Sequence, residues 1–223
     1  MSPGSPAGLQ PADAHRTGSA GIAYWTARAE ALGPRAVVNL DHPEGDNLDA
    51  VTAAHRAILM PALAGLLDGT ERVVCDLGCG TGRFTADFAA LVGGRAIGVE
   101  PVDALRALAP PGDAVSFLGL DDDGRLPLRD GEVDVLVTVT VLGGLRALGE
   151  LERTATEIRR VVRPGGLVCL AESVSDTGGF DHWQPRTAAT YRDAFPWADL
   201  REVARFDDAG DAISVLAGRA PAG

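Results

Sequence analysis

Val73-Val74-Cys75-Asp76-Leu77-Gly78-Cys79-Gly80-Thr81-Gly82-Arg83-Phe84-Thr85 is the stretch that decides the fold. An apolar run reaches an acidic residue, three glycines follow at alternate positions, and a helical pattern begins at Arg83. Glycines this close together let the backbone approach a ligand without side-chain obstruction and turn sharply into a helix. The helix then presents unpaired amide N–H groups at its start. The stretch therefore reads as strand, loop and helix around a nucleotide-type ligand.

The spacing separates the kinds of ligand. A dinucleotide loop reads G-x-G-x-x-G, but here the third glycine comes one residue early, at Gly82, and Arg83 stands where that pattern wants glycine. A phosphate loop ending in G-K-[ST] is excluded, because all 20 Lys+Arg residues are arginine. A nucleoside ligand without phosphate remains. The pattern D-x-G-x-G-x-G resembles the first motif of the class I S-adenosylmethionine-dependent methyltransferases.

Three further segments fall where that family places them. After a helix over 83–92, the second short strand Arg95-Ala-Ile-Gly-Val ends at Glu100-Pro101, 24 residues beyond Asp76. A carboxylate there can accept from both hydroxyls of a ribose. Phe117 to Leu128 resembles the family's third-strand element, in which an acid before a Leu-Pro pair bonds the adenine amino group. Spacing from Leu126-Pro127 makes that acid Asp122, with Asp123 offering its backbone N–H, although three successive aspartates leave the register open by one. The β-branched run Val133 to Leu142 suits a strand buried on both faces. It is followed by a helix over 148–162, a tight turn Arg163-Pro164-Gly165-Gly166 and a strand Leu167 to Glu172.

The resemblance covers roughly residues 70–173. It implies a Rossmann-like α/β fold, with a doubly wound, seven-stranded, mostly parallel sheet, a C-terminal antiparallel strand and an N-terminal helical cap. It also implies S-adenosylmethionine as the cofactor and S-adenosylhomocysteine as the product. The cofactor residues it assigns are Asp76, Gly78, Cys79, Gly80, Gly82, Glu100, Pro101, Asp122, Asp123 and Thr138. The domain reading is a disordered tail over 1–18, rich in Pro, Gly, Ser and Ala, a helical cap over 19–69 and the cofactor-binding core over 70–220.

In the cap, a helix over 23–32 is stopped by Gly33-Pro34, and Asn39 to Asp46 reads as a loop. Asn47 or Asp49 caps a longer helix reaching Leu67, with Pro61 expected to kink or break it. Beyond the core strands, a short helix ending at Phe195 and two strands, 200–206 and 212–217, complete the sheet.

With 223 residues, 46% of them hydrophobic, the chain suits one α/β domain with a modest appendage. A net charge of −11, with no basic run, argues against nucleic acid as partner. No apolar run approaches the ~18 residues of a membrane span, and no secretory leader is apparent. Three cysteines without a C-x-x-C pair fit reduced packing residues of a cytoplasmic protein and no metal site. The expected assembly is a monomer or homodimer.

Ligands of open α/β sheets bind outside the carboxyl ends of the strands. Substrate residues are therefore expected after Thr138-Thr140, after Glu172, and on N-terminal helices that close over the pocket. Many small-molecule methyltransferases carry histidines just beyond the fourth strand, but this chain has Gly143-Gly144 there. His182 is the candidate base, the alternative being a surface-loop histidine. His55, on a helix, reads as a satisfied or solvated residue. Tyr24, Trp25, Arg28, His42, Trp183 and Arg186 are the candidate substrate residues. Tyr24-Trp25 forms either an aromatic lid or the packing face of the first helix. The expected reaction is methyl transfer to a small molecule in specialised or sugar-like metabolism, to oxygen before nitrogen. The alternative is a methyltransferase-like cyclase or lyase that binds the cofactor without moving its methyl.

Overall fold

A computed structural model describes residues 19–39, 47–175, 179 and 182–223. The tail over 1–18 and His42 lie outside the described residues. The strands are β1 (Val73–Leu77), β2 (Arg95–Val99), β3 (Val115–Leu118), β4 (Val133–Val139), β5 (Val162–Ser173), β6 (Arg201–Asp208) and β7 (Asp211–Arg219). They form one seven-stranded sheet in the order β3-β2-β1-β4-β5-β7-β6. β1 to β5 run parallel, β7 is antiparallel to both its neighbours, and β6 thus points the same way as the first five.

Helices cover both faces, which is why the central strands are apolar throughout rather than alternating with polar residues. Along β5, Leu167, Cys169 and Ala171 face α2 (Leu48–Ala64) and α3 (Thr85–Leu91), packing with Leu59, Leu63, Phe84 and Phe88. The alternate residues Val168 and Leu170 face α5 (Leu148–Val161) and α6 (Ala188–Ala194), packing with Leu151, Ile158, Tyr191 and Phe195. The remaining helices, α1 (Ser19–Leu32) and α4 (Asp103–Arg106), share a smaller cluster of Ala29, Ala36, Val102 and Leu105. This cluster ties the first helix to the end of β2.

Local signals shape the connections. Asn47 caps α2, its side-chain oxygen accepting from the Ala50 amide at 3.1 Å. Pro61 does not divide that helix, which runs unbroken to Ala64. The proline falls in its final turn, so few residues follow the lost N–H. Nor does Arg163-Pro164-Gly165-Gly166 form a separate turn before the strand. α5 passes directly into β5, Val162 pairs with Val133, and the register then slips so that Leu167 pairs with Val135. The four residues are a bulge inside β5 with Gly165 at φ +73°. The last hairpin is equally tight: Asp208 pairs with Asp211 across Ala209 and Gly210, both at positive φ.

At the amino-terminal edge Asp134 fastens three strands. Its carboxylate accepts from the amides of Arg72 and Val73, each at 2.8 Å, and from the Arg163 guanidinium. Asp134→Ala leaves two amides without an acceptor and is expected to lower unfolding free energy by about 2 kcal/mol, read from urea denaturation. An unchanged midpoint would contradict this stapling role.

Candidate functional site

The carboxyl ends of β1, β2, β4 and β5 meet at one edge, and backbone bonds hold the chain where it leaves β1, β2 and β4. Gly78 and Cys79 both donate to the Val99 carbonyl, at 2.7 and 3.3 Å, which brings the loop after β1 against the end of β2. Gly78, Gly80 and Gly82 all have positive φ, at 69°, 57° and 74°. A Cβ on Gly78 would lie 2.5 Å from the Val141 methyls, and one on Gly80 would lie 2.8 Å from a Val37 methyl. The loop thus needs glycine both for its conformation and for the close approach of its neighbours.

Glu100 stands over this loop, 5% exposed. One carboxylate oxygen accepts from the Gly80 amide and the other from the Val102 amide, both at 2.9 Å. Burial pushes its pKa up, against the pull of those two bonds and of Arg106. Each oxygen retains lone-pair capacity for a further donor. Asp76 is buried one strand over, where its carboxylate accepts from the Thr85 hydroxyl at 2.6 Å and so ties β1 to the first turn of α3. Burial pushes Asp76 up to about 7. The Cys79 thiol is buried and held well above its usual range by the same effect.

The other expected cofactor residues are distributed around this edge. Pro101 is half-buried directly after Glu100. Asp122 and Asp123 are exposed in the turn after β3, and their neighbour Asp121 organises that turn, its carboxylate accepting from the Asp123 and Arg125 amides at 3.0 and 2.7 Å. Thr138 is fully buried, and its hydroxyl donates to Glu172 at 2.7 Å.

The structure brings most of the expected substrate residues together. The His182 imidazole stacks on the Tyr24 ring, with centroids 3.7 Å apart and planes 8° from parallel. Trp25 meets both rings edge-on, at 5.3 Å from Tyr24 and 6.2 Å from His182. Trp183 lies flat against Gly143, where a Cβ would stand 2.3 Å from its ring, and Gln184 N–H donates to the Gly143 carbonyl at 2.7 Å. The glycines that replace the expected histidines are therefore contact surfaces for indoles, since Gly144 also approaches Trp25.

The two arginines act indirectly. Arg28 donates to the Ala36 and Val38 carbonyls, at 2.8 and 3.2 Å, fastening α1 to the segment that carries Val37. Arg186 is 6% exposed and donates to the carbonyls of Leu142, Leu145 and Arg146 rather than facing an open pocket.

Sequence reading passed over Val37, Val141, Thr140 and Glu172. Thr140 has φ 53°, a left-handed conformation that is costly for a β-branched residue. The visible signal for Glu172 was an acid closing an otherwise apolar strand. Among the described residues no cluster of His, Cys, Asp and Glu is arranged to hold a metal, and no helix is long and apolar enough to cross a membrane.

Gly143→Ala is expected to displace the Trp183 indole and cost about 1–3 kcal/mol, as overpacking does. A fluorescence change with a matching loss in urea midpoint checks it. Wild-type behaviour in both would mean that the indole does not rest on this glycine.

Comparisons with known proteins agree with this geometry. A family profile described as a methyltransferase domain matches residues 75–170. An uncharacterised methyltransferase of Mycobacterium bovis is 32% identical over 119 residues, 52% of this chain and 45% of that protein. A demethylmenaquinone methyltransferase of Symbiobacterium thermophilum is 34% identical over 109 residues, 45% of this chain and 42% of that protein. The chain thus spans a little under half the length of these curated relatives. The crystal structure of the 4+2-cyclase SpnF shares the fold, with a TM-score of 0.64 at 19% identity, covering 93% of this chain and 95% of that one. The matched segment runs from β1 into β5 and contains the glycine loop and Glu100, and this segment is a methyltransferase domain of the class I S-adenosylmethionine-dependent type.

Proposed function

We propose that the protein transfers a methyl group from S-adenosylmethionine to a small molecule in biosynthesis, with a hydroxyl preferred to an amine as acceptor. The observation that carries this reading is the stack of Tyr24 on His182 beside the glycine contacts of Trp25 and Trp183. These contacts support reading the rings as an aromatic wall with one proton acceptor beside it.

The residues fit that cofactor. The glycine loop excludes side chains, and the two Glu100 oxygens are already oriented by Gly80 and Val102 while keeping capacity for ribose hydroxyls. Asp122 and Asp123 stand on the β3 side for the adenine ring, and Pro101 and Thr138 border the same edge. When bound, S-adenosylmethionine supplies an electrophilic methyl on a sulfonium, and the protein's part is to position the acceptor and exclude water. Tyr24, Trp25 and Trp183 hold the acceptor by apolar contact, and His182 takes the proton that a hydroxyl must lose.

The relative named for demethylmenaquinone supports a small-molecule acceptor. The net charge of −11 speaks against nucleic acid, and three buried free thiols suit a cytoplasmic location. The shared fold of SpnF keeps a second reading in view, a cyclase or lyase that binds the cofactor without methyl transfer.

Calorimetric titration with S-adenosylhomocysteine, followed by an acceptor screen scored by its release from S-adenosylmethionine, tests both readings. Binding with no release across hydroxyl and amine acceptors would favour the cyclase. Glu100→Ala should weaken S-adenosylhomocysteine binding by roughly 10- to 100-fold, the equivalent of losing bonds to a charged acceptor. Retained affinity would remove Glu100 from the ribose. His182→Ala should lower turnover by roughly 100-fold with cofactor affinity unchanged, and undiminished turnover would leave the reaction without this base.

A further inference from the structure

Beyond the cofactor loop, the carboxyl edge contains a second charged device. Glu172 ends β5 with no exposed surface, and all its bonds go to the exit of β4. One oxygen accepts from the Thr138 hydroxyl at 2.7 Å, and the two together accept from the Val141 and Leu142 amides at 3.0–3.1 Å. Arg186 approaches the same loop with its donors, at the Leu142 carbonyl (2.8 Å), the Arg146 carbonyl (3.3 Å) and the Leu145 carbonyl. Two buried side chains of opposite charge thus hold one glycine-containing loop, the carboxylate its amides and the guanidinium its carbonyls. Thr140, at φ 53°, is the point where the chain leaves the strand to enter this grip.

We propose that Glu172 and Arg186 are positioning residues that clamp residues 140–146 as the acceptor-side wall of the site. The proposal rests on the methyltransferase reading for what the wall faces. The held loop sets Val141 against the glycine loop at Gly78, and Gly143 against Trp183. Position at an acceptor site is worth large factors in rate, and the adjacent Gly143 and Gly144 supply no side chains to fix the loop there. Removing either member of a buried pair leaves the other charge uncompensated, so each of the two side chains is needed for the grip.

The groups facing Glu172 are the Thr138 hydroxyl on β4, the two loop amides, Arg186 and the nearby Tyr191 hydroxyl on α6. Every donor bonded to the carboxylate suits its ionised form. Burial nevertheless raises the carboxyl from 4.5 to about 7, opposed by the Thr138, Val141 and Leu142 bonds and by Arg186. A raised carboxyl contributes to global stability below its ordinary pKa, and that contribution is lost as pH rises through about 7. Closing the loop over Glu172 follows the same sign, because closure buries the carboxyl and becomes less favourable as it ionises.

Hydrogen exchange by mass spectrometry on the full chain tests the clamp. In Glu172→Gln, exchange over 140–146 should quicken by roughly 10-fold or more, as expected on replacing a charged acceptor, while β1 and β2 stay protected. Affinity for S-adenosylhomocysteine should fall by no more than about threefold, since Glu172 reaches the glycine loop only through Val141 and the cofactor edge only at Thr138. Arg186→Met should quicken the same segment, and the double variant should be little worse than either single one. In the wild type, protection over 140–146, corrected for intrinsic rate, should fall as pH rises from about 6 to 8, and Glu172→Gln should abolish that dependence. The wild-type pH series decides the matter even if the variants do not fold. Unchanged exchange, pH-independent protection in the wild type, or loss of S-adenosylhomocysteine binding in step with loop exchange would each overturn the proposal. Wild-type protein that binds no S-adenosylhomocysteine would instead sink the methyltransferase reading, with the exchange data still judging the clamp.

Discussion

The convergence of the Gly78 and Cys79 amides on the Val99 carbonyl is the constraint on which the site depends. Parallel strands deliver their carboxyl ends to one edge, but they do not by themselves determine how a loop leaves that edge. Two amides on one carbonyl draw the loop after β1 sideways onto β2. The residue after that carbonyl is Glu100, so the same turn of chain brings a carboxylate to the Gly80 amide. Once loop and acid are coupled, Val141 packs onto Gly78 and Val37 onto Gly80.

Much of this was legible in the sequence because its causes are local. The β-branched runs of β1, β2 and β4 and the alternate glycines state their conformations within a few residues, and so does the cap at Asn47. Arg163-Pro164-Gly165-Gly166 has the composition of a reversal and does contain a left-handed glycine. Whether it becomes a turn or a bulge is set by Val133 across the sheet and by the Pro221 carbonyl, which accepts from the Gly165 amide. Neither partner is visible from the segment itself. Pro61 misled in the opposite sense: a helix breaker has little left to break one turn from the end.

The candidate site divides along the same line. Motif residues found their places through spacing, whereas Arg186 could be placed only by knowing its partners, 40 to 44 residues earlier in the chain. Its position after β5 pointed to the substrate side, and its donors go to the backbone carbonyls of Leu142, Leu145 and Arg146. Glu172 was hidden for the same reason, since its acceptor role is defined by Thr138 on β4 and by Val141 and Leu142 just beyond it.

A common physical demand explains why buried charge gathers at this edge. At Gly78, Gly80, Gly82, Gly143 and Gly144 there is no side chain to pack, so at these positions apolar burial cannot hold the chain as it holds the helices. Its backbone amides and carbonyls are the groups left to grip. A neutral partner gives each such bond a modest net value, and an ionised one roughly doubles it. Glu100 holds the first loop in this way, and Glu172 with Arg186 holds the second. The desolvation that raises both carboxyls is the cost of placing charge where only charge can hold a glycine loop still.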